Sequence, residues 1–80
     1  MKKSVESRIF TIISNIFDEP IEKINKKSSP DTIVSWDSIS HMKMVIALEE
    51  EFNIRFSDDQ IVDMISMELI FLTLKEFNIQ

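Results

Sequence analysis

The chain has no glycine and no cysteine, and only one histidine, one tryptophan and two prolines in 80 residues. Without glycine it cannot build the phosphate-cradling loops of nucleotide-binding folds, which need backbone that only glycine supplies. Without cysteine there is no disulfide, no thiolate nucleophile and no sulfur ligand for a metal. One histidine cannot make an HExxH-type zinc pair. Apolar runs are only a few residues long, far short of the roughly 20 that span a bilayer. The opening MKKSVESRIF carries two lysines but no apolar stretch before Glu6, so it does not resemble a secretory signal. These absences lead us to expect a cytoplasmic protein with no membrane contact, no metal site and no catalytic residues of its own.

What is present suits one small domain spanning residues 1–80, read as a monomer. A hydrophobic share of 44% is too high for an acidic disordered tail. The net charge of −5 is unevenly placed: residues 1–36 are close to neutral, at +1, and residues 37–80 carry −6. Nucleic acid repels such a surface, whereas a basic protein surface is attracted to it.

Val5, Ile9, Ile12, Ile13, Ile16 and Phe17 recur at steps of three and four, which predicts a helix over residues 4–17 capped by Ser4. Residues 18–36 hold both prolines and no sustained period. They predict a long loop pinned by Ile21, Ile24, Ile33 and Val34, with room for one helical turn near 21–25. A second helix is expected to open at Asp37 and close at Asn53, with Met42, Val45, Leu48 and Phe52 inward and Ile39, Ile46 and Ala47 widening that stripe. Ser57 and Gln60 form a capping box for a short helix to about Ile65. Ser66 then caps a last helix carrying Met67, Ile70, Phe71, Leu74 and Phe77. No segment alternates with period two for long enough to be a strand. The expected fold is all-α: three longer helices and a short one around one core, with a long loop between the first two.

Ser38 stands where that loop meets the second helix. A hydroxyl there lies beside amides with partial positive charge, which favour a phosphate. Taken alone, a serine at a helix start is most often a cap. Its surroundings are more specific. Trp36-Asp37-Ser38-Ile39-Ser40-His41-Met42, followed by Val45-Ile46-Ala47-Leu48-Glu49-Glu50-Glu51-Phe52, strongly resembles the acyl carrier protein family. That family's Asp-Ser-Leu motif stands here as Asp37-Ser38-Ile39, and its Ala-Leu-Glu-Glu-Glu-Phe run follows in register. The match continues through Ser57-Asp58-Asp59, covering about residues 33–78.

The resemblance implies a four-helix carrier fold rather than an enzyme. It implies that Ser38 receives 4′-phosphopantetheine from coenzyme A through a Mg²⁺-using holo-carrier synthase, a phosphopantetheinyl transferase. The arm's thiol would carry an acyl group as a thioester. A loading ligase or acyltransferase would supply it, and condensing or transfer enzymes would take it away. Asp37, Ile39, Met42, Lys43, Ile46, Glu49 and Glu50 would contact these partners. The chain departs from the family's pattern in places. Ile39 replaces the usual Leu, Trp36 stands where a small residue is common, and Ser40 and Lys43 occupy positions often acidic in fatty-acid carriers. Together these suggest a specialised carrier of acyl groups, with an aminoacyl or peptidyl carrier as an alternative.

Other readings are weaker. His41 follows Ser38 by one helical turn, but two side chains on one helix do not assemble a Ser–His hydrolase, so His41 is expected to be an exposed helix residue. Asp58, Asp59 and Asp63 lack the spacing and the glycine of a calcium loop. Met42, Met44, Met64 and Met67 are expected on inner faces, and Trp36 as a loop anchor. A functional alternative of another class is an acidic helical interaction domain with no prosthetic group.

Overall fold

The computed structural model describes residues 4–78. Four α-helices follow in the order α1 (Val5–Phe17), α2 (Ser38–Phe52), α3 (Asp58–Asp63) and α4 (Met67–Lys75), with one 3₁₀ turn at Ile21–Lys23 and no strand among the described residues. This is the expected all-α bundle, and the turn falls where the loop had room for one.

Each helix starts on local side-chain chemistry. The Ser4 hydroxyl accepts the Ser7 amide, the Asp37 carboxylate the Ser40 amide, and the Ser66 hydroxyl the Leu69 amide. Ser57 and Gln60 form the full reciprocal box at α3. Two helix ends need left-handed backbone. Lacking glycine, the chain uses Asp18 and Asn53, both at φ 53°, residue types that tolerate this region best among those with a Cβ. Their amides return to Ser14 O and Glu49 O.

The core draws on every segment. α1 contributes Ile9, Ile13 and Phe17; α2 contributes Met44, Val45 and Leu48; α4 contributes Met67, Ile70 and Leu74. The connections add Ile24, Ile33, Trp36, Phe56 and Met64. α3 buries none of its own residues completely. No buried side-chain nitrogen or oxygen among the described residues lacks a partner.

Several expected inward positions face out. Val34 is 99% exposed and Ile21 is also exposed, so of the four expected loop pins only Ile24 and Ile33 reach the core. On α2 the buried stripe is Met44, Val45 and Leu48, with Phe52 half-buried, while Ile39, Met42 and Ile46 are exposed. Residues 39–48 are apolar on both faces, so their period alone cannot select the inner one.

The loop from 18 to 37 is ordered by its own polar groups and by α4. Ser28 is buried, and its hydroxyl accepts the Asn25 amide at 2.9 Å. The carbonyl of Ser28 accepts the Met67 amide and that of Lys26 the Glu68 amide. The loop thus satisfies the free amides that open α4. Ser35 ties the other end of the loop to α1 through the carbonyl of Phe17.

Ile33→Ala is expected to destabilise the protein by about 2–5 kcal/mol through the cavity it leaves. Val34→Ala, one residue on, should change stability by less than about 0.5 kcal/mol. Urea unfolding of the two variants measures the contrast, and equal costs would contradict this inside–outside assignment.

Candidate functional site

The site is built from the loop's last residues and the first turn of α2. Trp36 is only 4% exposed, and its ring stacks on Phe17 at 4.8 Å between centroids. With that anchor buried, the chain must emerge at Asp37. Asp37 is extended, accepts the Ser40 amide at 2.8 Å on its carboxylate, and gives its carbonyl to the His41 amide. Ser38 is then the first helical residue, and it is exposed. The Ser40 amide, helped by the Ser40 hydroxyl, holds the Asp37 carboxyl below its ordinary value of 3.8. Asp37 is therefore charged across the neutral range, beside a hydroxyl that faces solvent at the positive end of a helix dipole.

An open groove of about 520 Å³ runs past Ser38. Pro30 and Trp36 line it from the loop, Asp37, His41 and Met42 from α2, and Ile61, Val62 and Ile65 from α3 and the segment after it. Its walls are mainly apolar side chains, and none of the lining residues is a lysine or an arginine.

His41 is not the exposed residue expected from its position. It is half-buried, accepts the Trp36 indole N–H on Nδ1 at 3.0 Å, and places Nε2 at 2.8 Å from the Ile61 carbonyl. The indole nitrogen can only donate, so Nδ1 must be the acceptor and the proton resides on Nε2, which donates to Ile61. Nothing in the sequence marked this bridge, because one of its partners is a backbone carbonyl twenty residues away.

The outer face of α2 carries Ile39, Lys43, Ile46 and Glu50 at steps of four, three and four, with Met42 alongside toward Ser38. All five are exposed, Ile39 to 70% and Ile46 to 51%. Glu49 differs from them. It is half-buried, and its carboxylate accepts the Phe56 amide at 2.9 Å, bracing the turn into α3. Glu51 pairs with Arg8 of α1 at 2.7 Å, and the Arg8 guanidinium lies over the Phe52 ring. Of the triple glutamate, only Glu50 has no side-chain partner among the described residues. No group of three or more His, Cys, Asp or Glu among the described residues is arranged to hold a metal ion. No helix among them is long and apolar enough to cross a membrane.

No family model matches the chain. Individual proteins do. The acyl carrier protein of Buchnera aphidicola subsp. Schizaphis graminum is 39% identical over 56 residues, covering 70% of this chain and 71% of that one. The acyl carrier protein of the Baizongia pistaciae subspecies is 28% identical over 75 residues, covering 94% and 96%. In structure, a Mycobacterium tuberculosis chain provisionally assigned as an acyl carrier protein superposes with a TM-score of 0.79. It is 18% identical and covers 92% of this chain and 99% of that one, a likeness of fold. With the helix order, the Asp37-Ser38-Ile39 turn and these relatives in agreement, the chain belongs to the acyl carrier protein family.

Proposed function

We propose that this protein carries acyl groups as thioesters on a 4′-phosphopantetheine arm attached to Ser38. The observation that supports the reading most is the exposure of Ser38 as the first residue of α2, directly after a capped aspartate and beside an apolar groove. The Ser38 oxygen would form the new bond to phosphorus, the nucleotide half of coenzyme A would leave, and the hydroxyl proton would pass to the transferase. No residue of the chain need act as a base, because the transferase brings its own. The role of the chain is presentation. The arm supplies the thiol that a cysteine-free sequence lacks, and tethering raises the cargo's effective concentration at each partner.

Partners would grip the outer face of α2. Asp37, Ile39, Met42, Lys43, Ile46 and Glu50 are all exposed there. Glu49 supports that face through Phe56 more than it offers charge. The face near Ser38 mixes apolar Ile39, Met42 and Ile46 with Asp37 and Lys43, which suits loading and transfer enzymes whose docking depends on shape and apolar contact more than on a run of acidic residues. This favours a specialised carrier over one docking through an acidic helix.

Incubation of the apo protein with coenzyme A, Mg²⁺ and a broad-specificity phosphopantetheinyl transferase should raise its intact mass by one phosphopantetheinyl group. Ser38→Ala should abolish the gain. A wild-type chain that stays unmodified would leave the armless interaction domain as the better reading.

Binding of the loaded protein to a standard fatty-acid ketosynthase should be weak and only slightly salt-dependent. Tight binding that collapses as salt rises from low ionic strength would contradict the specialised role.

The Asp37 charge also has a pH signature. Its folded-state pKa is lowered, so its stabilising contribution is present above the unfolded value near 3.8 and is lost as pH falls through the folded one. Asp37→Asn keeps a capping side chain without the charge. The thermal stability advantage of wild type over this variant should be full at pH 6 and shrink below about pH 4. An advantage that persists unchanged at low pH would mean the charge does not act through the cap.

A further inference from the structure

We infer that His41 is a positioning residue that holds α3 against the groove beside Ser38, and that only the neutral imidazole can do so. The bridge joins three segments through one rigid ring. Nδ1 accepts from Trp36 at the end of the loop, and Nε2 donates to the carbonyl of Ile61 in the middle of α3. The indole packs its face on Phe17 and meets His41 edge to edge, so Phe17, Trp36 and His41 form a continuous contact from α1 to α2, and the Nε2 bond to Ile61 extends it to α3.

α3 needs such a tie. It is six residues long and none of them is fully buried. The other side-chain bonds recorded for it are the capping box at its start and Gln60 to Glu76. Short helices with little buried apolar surface lie at the low end of local stability. Ile61 and Val62 form one wall of the groove that Ser38 and Met42 border, so wherever α3 goes, that wall goes with it.

Charge on the ring removes the bridge by geometry. A proton added at Nδ1 turns an acceptor into a donor that faces the indole N–H 3.0 Å away. Trp36 is buried and stacked and cannot turn aside, so the imidazole must move, and its Nε2 moves away from Ile61 with it. Among the charged residues of the surrounding elements, namely Asp31 on the loop, Asp37 and Lys43 on α2, and Asp58, Asp59 and Asp63 on α3, only Asp37 lines the groove with His41. The Asp37 carboxyl lies below its ordinary range and stays charged throughout the interval in which imidazoles change charge. The bridge is therefore present with the neutral ring and lost when the ring is protonated.

The experiment uses the unmodified full chain, so its outcome is independent of the arm. Amide exchange at residues 61–65, corrected for intrinsic pH dependence, is followed from pH 8 to pH 5 together with the His41 ring resonances and the emission of Trp36, the only tryptophan. In wild type, exchange should become about fivefold faster when protonation of the ring breaks the bridge, the effect of losing one hydrogen bond. Indole emission should fall over the same interval, because an adjacent imidazolium quenches it. His41→Gln, whose amide accepts and donates without titrating, should give flat traces. His41→Phe, which keeps a ring without the bridge, should exchange fast at every pH. Superposable wild-type and His41→Gln exchange profiles would overturn the inference. So would wild-type protection in His41→Phe. Failure of Ser38 to accept the arm would remove the proposed function and leave this result standing, since none of the three readouts involves Ser38.

Discussion

The burial of Trp36 is the constraint on which the rest of the site depends. A loop of about twenty residues could end in many places on a small bundle, and each would start α2 at a different height. The indole removes that freedom. One face packs on Phe17, the last residue of α1, and the N–H is taken by His41, in the first turns of α2. Ser35, just before it, hydrogen-bonds the carbonyl of the same Phe17. With residues 35 and 36 tied to the end of α1, the chain returns to the surface at Asp37, directly after the buried indole. Its cap then determines that Ser38 begins the helix on the outside.

The loop is part of the bundle in a second sense. The opening amides of α4 are satisfied by the carbonyls of Lys26 and Ser28 as well as by the cap at Ser66. Unfilled amides at a helix start are costly when shielded from water. The loop therefore stabilises the start of α4 while α1 and α2 hold its other end. A connection tied to three helices explains how a chain this short keeps about twenty residues in one loop without losing a defined core.

Helix starts were legible in the sequence because capping is a contact over three residues. Ser4, Asp37, Ser57 with Gln60, and Ser66 all act as their type and spacing predict. Asn53 closes α2 in the left-handed region for the same local reason. Inside and outside were less legible where both faces of a helix are apolar. Between Ile39 and Leu48, Met42 and Met44 are equal candidates by type, and only the position of the neighbouring helices sends Met44 inward. Val34 and Ile33 pose the same problem in a loop, where no period exists at all. The His41 bridge and the loop bonds to α4 end on backbone carbonyls, which every residue has, so no side-chain pattern announces them. The exposure of Ser38 was legible because it follows from the cap. The groove beside it was not, because it exists only once α3 is placed.

The apolar residues left outside are more informative than those buried. Ile39, Met42, Ile46, Val62 and Ile65 all remain exposed to solvent, although among the described residues no buried side-chain nitrogen or oxygen is left unpaired. Scattered surface hydrophobes need no explanation. These are not scattered: they lie on α2 and on α3 with its following segment, and Met42, Val62 and Ile65 border the same groove as Ser38. Their exposure contributes nothing to folding and keeps apolar surface in water, so its value must lie in contacts outside the chain. The acidic residues that flank α2 are largely engaged, Asp37 as a cap, Glu49 with Phe56 and Glu51 with Arg8. At these three positions negative charge is thus used to hold the fold, and much of the surface around Ser38 is left to speak through its shape and its apolar side chains.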